Sequence, residues 1–297
     1  MRLEENVSLD RLTTFGTGGP ARALAWPENA KELEEALVWA AERTLRTLAI
    51  GLGSNVLVSD EGVNALVLRL IGELARVEFR SELMIAGAGA ADAACAHYAC
   101  EAGLSGFEFA SAIPGTVGGG VAMNAGAWGG QFSDVLERAL VVDGSGSHWL
   151  EPGQLGLRYR GSTLEPGQLV AVAEFRLTAG TPEQVAETQK RMKTTRGDSQ
   201  PPGNRTFGSV FKNPEHELGA GEMIDACGLR GHSSGGARIS PEHANFIENM
   251  GTASSADALA LMNEARRLVF ERFGVTLEPE VKLIGDIVLA PVGLSQA

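Results

Sequence analysis

Basic residues are in short supply: 25 Lys and Arg stand against 37 Asp and Glu, a formal net charge of −12. Gripping a nucleic-acid backbone needs a basic footprint, so nucleic acid is not expected as a partner. Three cysteines, Cys95, Cys100 and Cys227, lack zinc-ligand spacing and an accompanying His pair. They read as small buried thiols, and no metal site is expected. No apolar run reaches the ~18 residues of a membrane-spanning helix, so membrane insertion is not expected. The opening "MRLEENVSLDRL" is too acidic and polar for a signal peptide, which implies a cytoplasmic protein. Tyrosine is nearly missing, with Tyr98 and Tyr159 alone. Internal repeats and low-complexity tracts are absent.

What is present is an ordinary globular composition, 44% hydrophobic and 21% charged, over 297 residues. Helical spacing puts Leu33, Leu37 and Ala40 on one face of 28–43, with acids opposite. "DAACAHYACEAG" (92–103), 182–196, 220–227 and 255–273 also read as helices. In the last, Leu259, Met262, Val269 and Phe273 form the apolar side and Gly274 the cap. Strands are expected on either side of "GLGSN" (51–55), at 63–70, 83–90, 138–150 (a hairpin at Asp143-Gly144), 168–177, near Val210-Phe211 and in "NFIEN". The irregular mixture indicates α+β rather than a doubly wound sheet. "GDSQPPGNRT" (197–206) is the best domain boundary by composition.

Two glycine loops stand out. "GLGSN" lacks the Gly-Lys-Ser/Thr of a Walker loop and is followed by a strand-like "VLVSD" rather than a Rossmann helix. It reads either as an anion cradle or as a plain turn. "ASAIPGTVGGGVAMNAGAWGG" (110–130) carries no charge. Its glycines break any membrane helix, and its interleaved Ile113, Val117, Val121, Met123 and Trp128 are too apolar for a linker. Close backbone approach follows, either by a ligand or by another part of the chain.

The motifs, taken in order, resemble the UDP-N-acetylenolpyruvoylglucosamine reductase family. They are "NVSLDRLTTFGTGGPA", "GLGSN", "SAIPGTVGGGVAMNAGAWG", "YRGS" (159–162), "GSVFKNP" (208–214), "ISPEHANFIEN" (239–249) and "LEPEVKLIG" (277–285). The resemblance implies an FAD-binding domain of the vanillyl-alcohol oxidase/p-cresol methylhydroxylase type. Its two subdomains would occupy 1–70 and 71–197, with a substrate-binding domain at 198–297. It implies NADPH-dependent reduction of UDP-N-acetylglucosamine enolpyruvate to UDP-N-acetylmuramate, for peptidoglycan precursors. A monomer or weak oligomer is expected. Flavin contacts implied are Gly51, Gly53, Ser54, Asn55, Val56, Pro114, Gly115, Thr116, Gly118, Gly119, Ala122, Asn124 and Gly126. Hydride would pass from flavin N5 to the vinyl carbon, leaving an enolate-like dianion that needs positive charge or acidic hydrogen bonds.

Residue by residue, Arg160 resembles the family's bidentate cation for the carboxylate. Glu280 resembles its acidic partner, which helps only if protonated. Ser209 resembles its proton donor, a weak acid serving a very basic carbanion. Taken singly, each also reads as an ordinary surface or loop residue. Asn213 sits at a family substrate-contact position, Lys212 and Arg196 are candidates for the diphosphate, and His243 is structural or substrate-side. Gly120 stands where the family has Ala, and Trp128 where it has Tyr. The short segment between Arg160 and Ser209, with no tyrosine in it, resembles the smaller subclass that lacks a tyrosine loop over the substrate.

Overall fold

A computed structural model describes residues 1–199 and 205–293, the side chains of 196–199 excepted. The chain divides into two compact units, each discontinuous in sequence. Unit 1 comprises Met1–Asn6, Arg22–Leu52 and Asn64–Arg196; unit 2 comprises Val7–Ala21, Gly53–Val63 and Gly197–Ala297. Segments 7–21 and 53–63 thus cluster with the C-terminal residues rather than with their sequence neighbours.

Two sheets lie wholly or mostly in unit 1. Strands Arg2–Ser8, Pro20–Trp26, Val63–Leu68 and Arg46–Ala49 lie in that order, the last two parallel. Helix α1 (Ala30–Glu42) starts at an Asn29 cap, whose side chain accepts from the Glu32 N–H, and buries Leu33, Ala36 and Ala40. The second sheet is antiparallel, in the order Gly146–Leu150, Leu136–Asp143, Leu169–Arg176, Leu83–Gly87, Val77–Arg80. Leu169–Arg176 is central and almost wholly buried, with Arg176 alone exposed. Helix α2 (Asp92–Glu101) and the six-residue α3 (Val117–Ala122) pack with it around one core. Phe107, Phe109, Phe132 and Phe175 form a ring cluster there, centroids 5.0–5.8 Å apart. Helix α4 (Pro182–Ser199) is tied back by Gln189, which donates to the Ala96 carbonyl at 2.7 Å.

Unit 2 has its own core around Phe15, Phe207, Phe211, Met223, Leu261 and Met262. It holds α5 (Ala220–Ala226), a small sheet of Ser233–Ser234, Ala237–Ile239 and Ile247–Asn249, and α6 (Ser255–Phe273). Ser254 caps the start of α6, and Gly274 ends it at φ 68°. The buried face of α6 is Ala258, Leu261, Met262, Ala265 and Val269. Leu259 and Phe273 lie at its margin, because the true stripe is rotated toward the small residues Ala258 and Ala265.

One local expectation is corrected. Val210-Phe211 forms no strand: an isolated bridge joins Phe211 to Pro279. Backbone bonds flank it, Val210 N–H to Asn245 O and Lys212 N–H to Glu278 O (both 2.9 Å), and a side chain bonds Phe211 itself. Asn245 accepts from the Phe211 N–H at 3.0 Å and donates to its carbonyl at 2.8 Å. The 110–130 stretch folds into a short 3-10 turn, α3 and a hairpin of Gly126–Ala127 with Gly130–Gln131. Three glycines in six residues argue against a helix by propensity, each costing about 1 kcal/mol relative to Ala. Packing overrides that: Gly120 is buried, and a Cβ there would lie 2.1 Å from Phe132 Cζ.

Candidate active site

In unit 1 the two glycine loops touch. A Cβ on Gly51 would sit 2.2 Å from Thr116 Oγ1, so only glycine permits this approach. Thr116 is itself fixed by a bridge to Ala91, flanked by Asp92 N–H to Gly115 O (3.1 Å) and Val117 N–H to Ala90 O (2.9 Å). Gly118 N–H donates to the Ala88 carbonyl at 2.9 Å. On the other side Pro114 and Gly119 are exposed, and a Cβ on Gly119 would meet only Thr116 Oγ1, at 4.0 Å. One face of the segment is thus packed and the other is open, uncharged backbone. That surface fits a large, partly apolar cofactor approached through peptide groups.

Beneath this surface lies an anomaly. Asp92, at the start of α2, is 0% exposed, and neither carboxylate oxygen has a hydrogen-bond partner among the described residues. Its Oδ2 would be 2.5 Å from a Cβ on Gly115. Burial pushes the carboxyl well above the usual carboxylate range. The thiol of Cys95, one turn on, is pushed up to about 12, chiefly by burial, as an inert core cysteine requires.

Arg160 also belongs to unit 1. It is the third residue of a tight turn closed by Arg158 N–H to Gly161 O (2.9 Å) and Gly161 N–H to Arg158 O (3.1 Å). Its φ is 54°, a left-handed conformation unusual for Arg. The guanidinium donates to the Gly126 carbonyl at 2.7 Å and lies 5.1 Å from the Tyr159 ring centroid. Ser162 Oγ donates to the Ala122 carbonyl at 2.8 Å, so "YRGS" is fastened to the glycine segment at two points. Asn124 is 2% exposed and lies in the same network.

In unit 2, three motif segments converge. Gly53 (φ 67°) presses on residues 12–13: a Cβ would be 2.0 Å from the Leu12 carbonyl. Val56–Val58 pairs in parallel with Lys282–Ile284. Asn55 Nδ2 donates to the Glu280 carbonyl at 3.2 Å, and its own carbonyl accepts from Lys282 N–H at 3.0 Å. Glu280 N–H donates to Val210 O at 2.9 Å, which fixes the acid beside the residue that follows Ser209. Gly208, at φ 78°, passes close to the carbonyl of Ser54. The structure thus gathers Gly53, Ser54, Asn55, Val56, Ser209 and Glu280 within unit 2. Gly51, Pro114, Gly115, Thr116, Gly118, Gly119, Ala122, Asn124, Gly126 and Arg160 are gathered within unit 1.

The remaining candidates have protein partners. Lys212 Nζ pairs with Glu278 at 2.5 Å. Asn213 Oδ1 accepts from Ala220 N–H at the start of α5. The His243 ring meets Phe246 edge-on, centroids 5.0 Å apart, and its Nδ1 accepts from Asn245 N–H at 3.2 Å. Burial, with Arg230 nearby, lowers its pKa. The side chain of Arg196 lies outside the described residues. Sequence reasoning missed Asp92, which looked like a routine first-turn acid. It also missed the structural use of Asn245.

Comparison with known proteins identifies this α+β fold, with its backbone-lined glycine surface, as that of an FAD-dependent oxidoreductase. Residues 21–150 match the family described as FAD binding domain, and residues 200–284 match the C-terminal domain of UDP-N-acetylenolpyruvoylglucosamine reductase. A protein of Symbiobacterium thermophilum named UDP-N-acetylenolpyruvoylglucosamine reductase 2 is 43% identical over 96% of this chain and 92% of its own. The reductase of Gloeobacter violaceus is 40% identical over 96% of this chain and 97% of its own. The crystal structure of the Thermus caldophilus reductase superposes with a TM-score of 0.84 at 37% identity, covering 96% of this chain and 99% of that one. The chain belongs to the UDP-N-acetylenolpyruvoylglucosamine reductase family, and FAD is its cofactor. Among the described residues no helix is long and apolar enough to cross a membrane.

Proposed function

We propose that the chain reduces UDP-N-acetylglucosamine enolpyruvate to UDP-N-acetylmuramate in the cytoplasm, with NADPH as electron donor. Residues 1–70 and 71–197 serve as the flavin-binding subdomains and 198–297 as the substrate-binding domain. FAD would rest on Gly51, Gly53, Ser54, Asn55 and Val56 and on Pro114, Gly115, Thr116, Gly118, Gly119, Ala122, Asn124 and Gly126; when bound it supplies hydride to the vinyl carbon. Arg160 binds the substrate carboxylate and offsets the charge that builds there as the carbon is reduced. Glu280, in its acid form, hydrogen-bonds the same developing charge. Ser209 Oγ–H delivers the proton to the carbon next to the carboxylate. Lys212, Asn213, Arg196 and His243 are the substrate-side candidates. For Lys212 a diphosphate would have to compete with Glu278.

The observation that supports this assignment best is the bond from Glu280 N–H to the Val210 carbonyl, with Asn55 holding the other side of Glu280. It couples the proton donor and the acid, far apart in sequence, through one backbone contact. In Ser209→Ala, NADPH should still bleach the flavin, while reoxidation by the enolpyruvyl substrate slows about 10²–10⁴-fold. Stopped-flow absorbance separates the two half-reactions, and full turnover by the variant would remove Ser209 from the acid role.

A further inference from the structure

Arg160 is held from both ends, and both holds lead to one side chain. Its backbone sits in a left-handed turn residue, a place usually taken by Gly or Asn, so the turn must be over-determined by its surroundings to persist. The carbonyl that closes this turn, Arg158 O, takes a hydrogen bond from Gly161 N–H and a second from Asn124 Nδ2 at 3.2 Å. The guanidinium end rests on Gly126 O, two residues beyond Asn124. Asn124 also holds the hairpin that carries Gly126. Its Nδ2 donates to Gln131 Oε1 at 3.3 Å, and its Oδ1 accepts from Ser133 N–H at 2.9 Å. Both amide hydrogens and the amide oxygen are therefore engaged inside the protein. Asn124 is itself left-handed, at φ 41°, which Asn tolerates better than other side-chain-bearing residues.

The geometry points to Asn124 as a positioning residue for Arg160: its side-chain amide joins the turn that sets the arginine backbone to the hairpin that receives the arginine head. Both donors of the amide, and the backbone N–H that bonds Val121 O, are spent inside the protein, so Asn124 has no hydrogen to give the cofactor. The inference rests on the proposed role of Arg160 as the carboxylate cation. A bidentate cation tolerates little displacement, because both of its N–H bonds must align with both oxygens. Loosening either anchor should cost affinity for the carboxylate and leave recognition of the nucleotide sugar alone.

The test uses holoenzyme and two substitutions compatible with a left-handed backbone. Asn124→Asp removes both donors, and Asn124→Gly deletes the side chain. Flavin absorbance changes report binding of two ligands, the enolpyruvyl nucleotide sugar and UDP-N-acetylglucosamine, which lacks the carboxylate. FAD is supplied in saturating excess, so that the flavin site is equally occupied in every protein compared. Each variant should bind the enolpyruvyl ligand about tenfold more weakly, the loss of one hydrogen bond to a charged group. Binding of UDP-N-acetylglucosamine should not change. In an Arg160→Ala background, Asn124→Asp should add nothing, since the group through which it acts is gone. Equal weakening of both ligands, or additive effects in the double variant, would each overturn the inference. Wild-type affinity for the enolpyruvyl ligand in Arg160→Ala alone would instead remove the role of Arg160 and take the inference with it. A weakened Arg160→Ala beside unaffected Asn124 variants would overturn the positioning role alone.

Discussion

Asp92 makes stability depend on pH in a direction opposite to that of most carboxylates. The usual acid is stabilised as an anion by partners in the folded state. Asp92 is fully buried and has no partner among the described residues, so its folded-state pKa is raised above the ordinary 3.8. The native state therefore keeps a proton that the unfolded chain releases. Its contribution is fully present below pH 3.8, declines as pH rises, and levels off above the folded pKa. One proton is involved, so the slope within that window is about 1.4 kcal/mol per pH unit. Asn is the same size and does not ionise. Urea unfolding of wild type and Asp92→Asn, with FAD in equal excess, should be compared at pH 5, 6 and 7. The difference in unfolding free energy should move in favour of the variant by about that amount per unit inside the window. Parallel curves, with a constant offset at all three pH values, would refute the reasoning: the carboxyl would then be either ionised or solvated in the native protein.

The buried Gly120 should tolerate no Cβ against Phe132, so Gly120→Ala should cost about 1–3 kcal/mol by overpacking. A second change, Phe132→Leu, should recover part of that cost, as a shift in urea midpoint would show. His243, whose folded pKa lies below 6.5, contributes stability that is fully present above pH 6.5 and lost as pH falls through its folded value. His243→Gln should flatten that acid limb by at most about 1.4 kcal/mol per pH unit and leave the slope near pH 8 unchanged.

Elements with a strong period were legible in the sequence. Helix α1 and the strand Leu169–Arg176 lie where periodicity and β-branched runs put them. The motifs marked which loops matter, but not what holds them. Helix α3 was invisible because three glycines contradict a helix until Phe132 and Ala88 are seen to leave no room for side chains. Asp92 was invisible because an acid in a first helical turn is ordinarily a favourable, solvated feature. The apolar face of α6 was displaced from expectation because alanines, not only large residues, define where a helix comes close to its neighbours.

The motif loops share a physical problem, and the sequence solves it repeatedly with one residue type. These loops lie outside sheet ladders, yet their backbone groups are buried and must be bonded. Asn carries a donor and an acceptor on a short, stiff arm and can replace a strand edge. Asn245 bonds both polar groups of Phe211, within "GSVFKNP". Asn249 donates to Phe15 O in "TTFGTGG" and accepts from Gly251 and Ala253. Asn124 does the same for "YRGS" and the hairpin beside it. All three are at most 9% exposed. An amide at these positions therefore marks a loop whose shape is fixed by a side chain. Polarity alone would place such residues on the surface, yet in all three the side chain is bonded inside the protein.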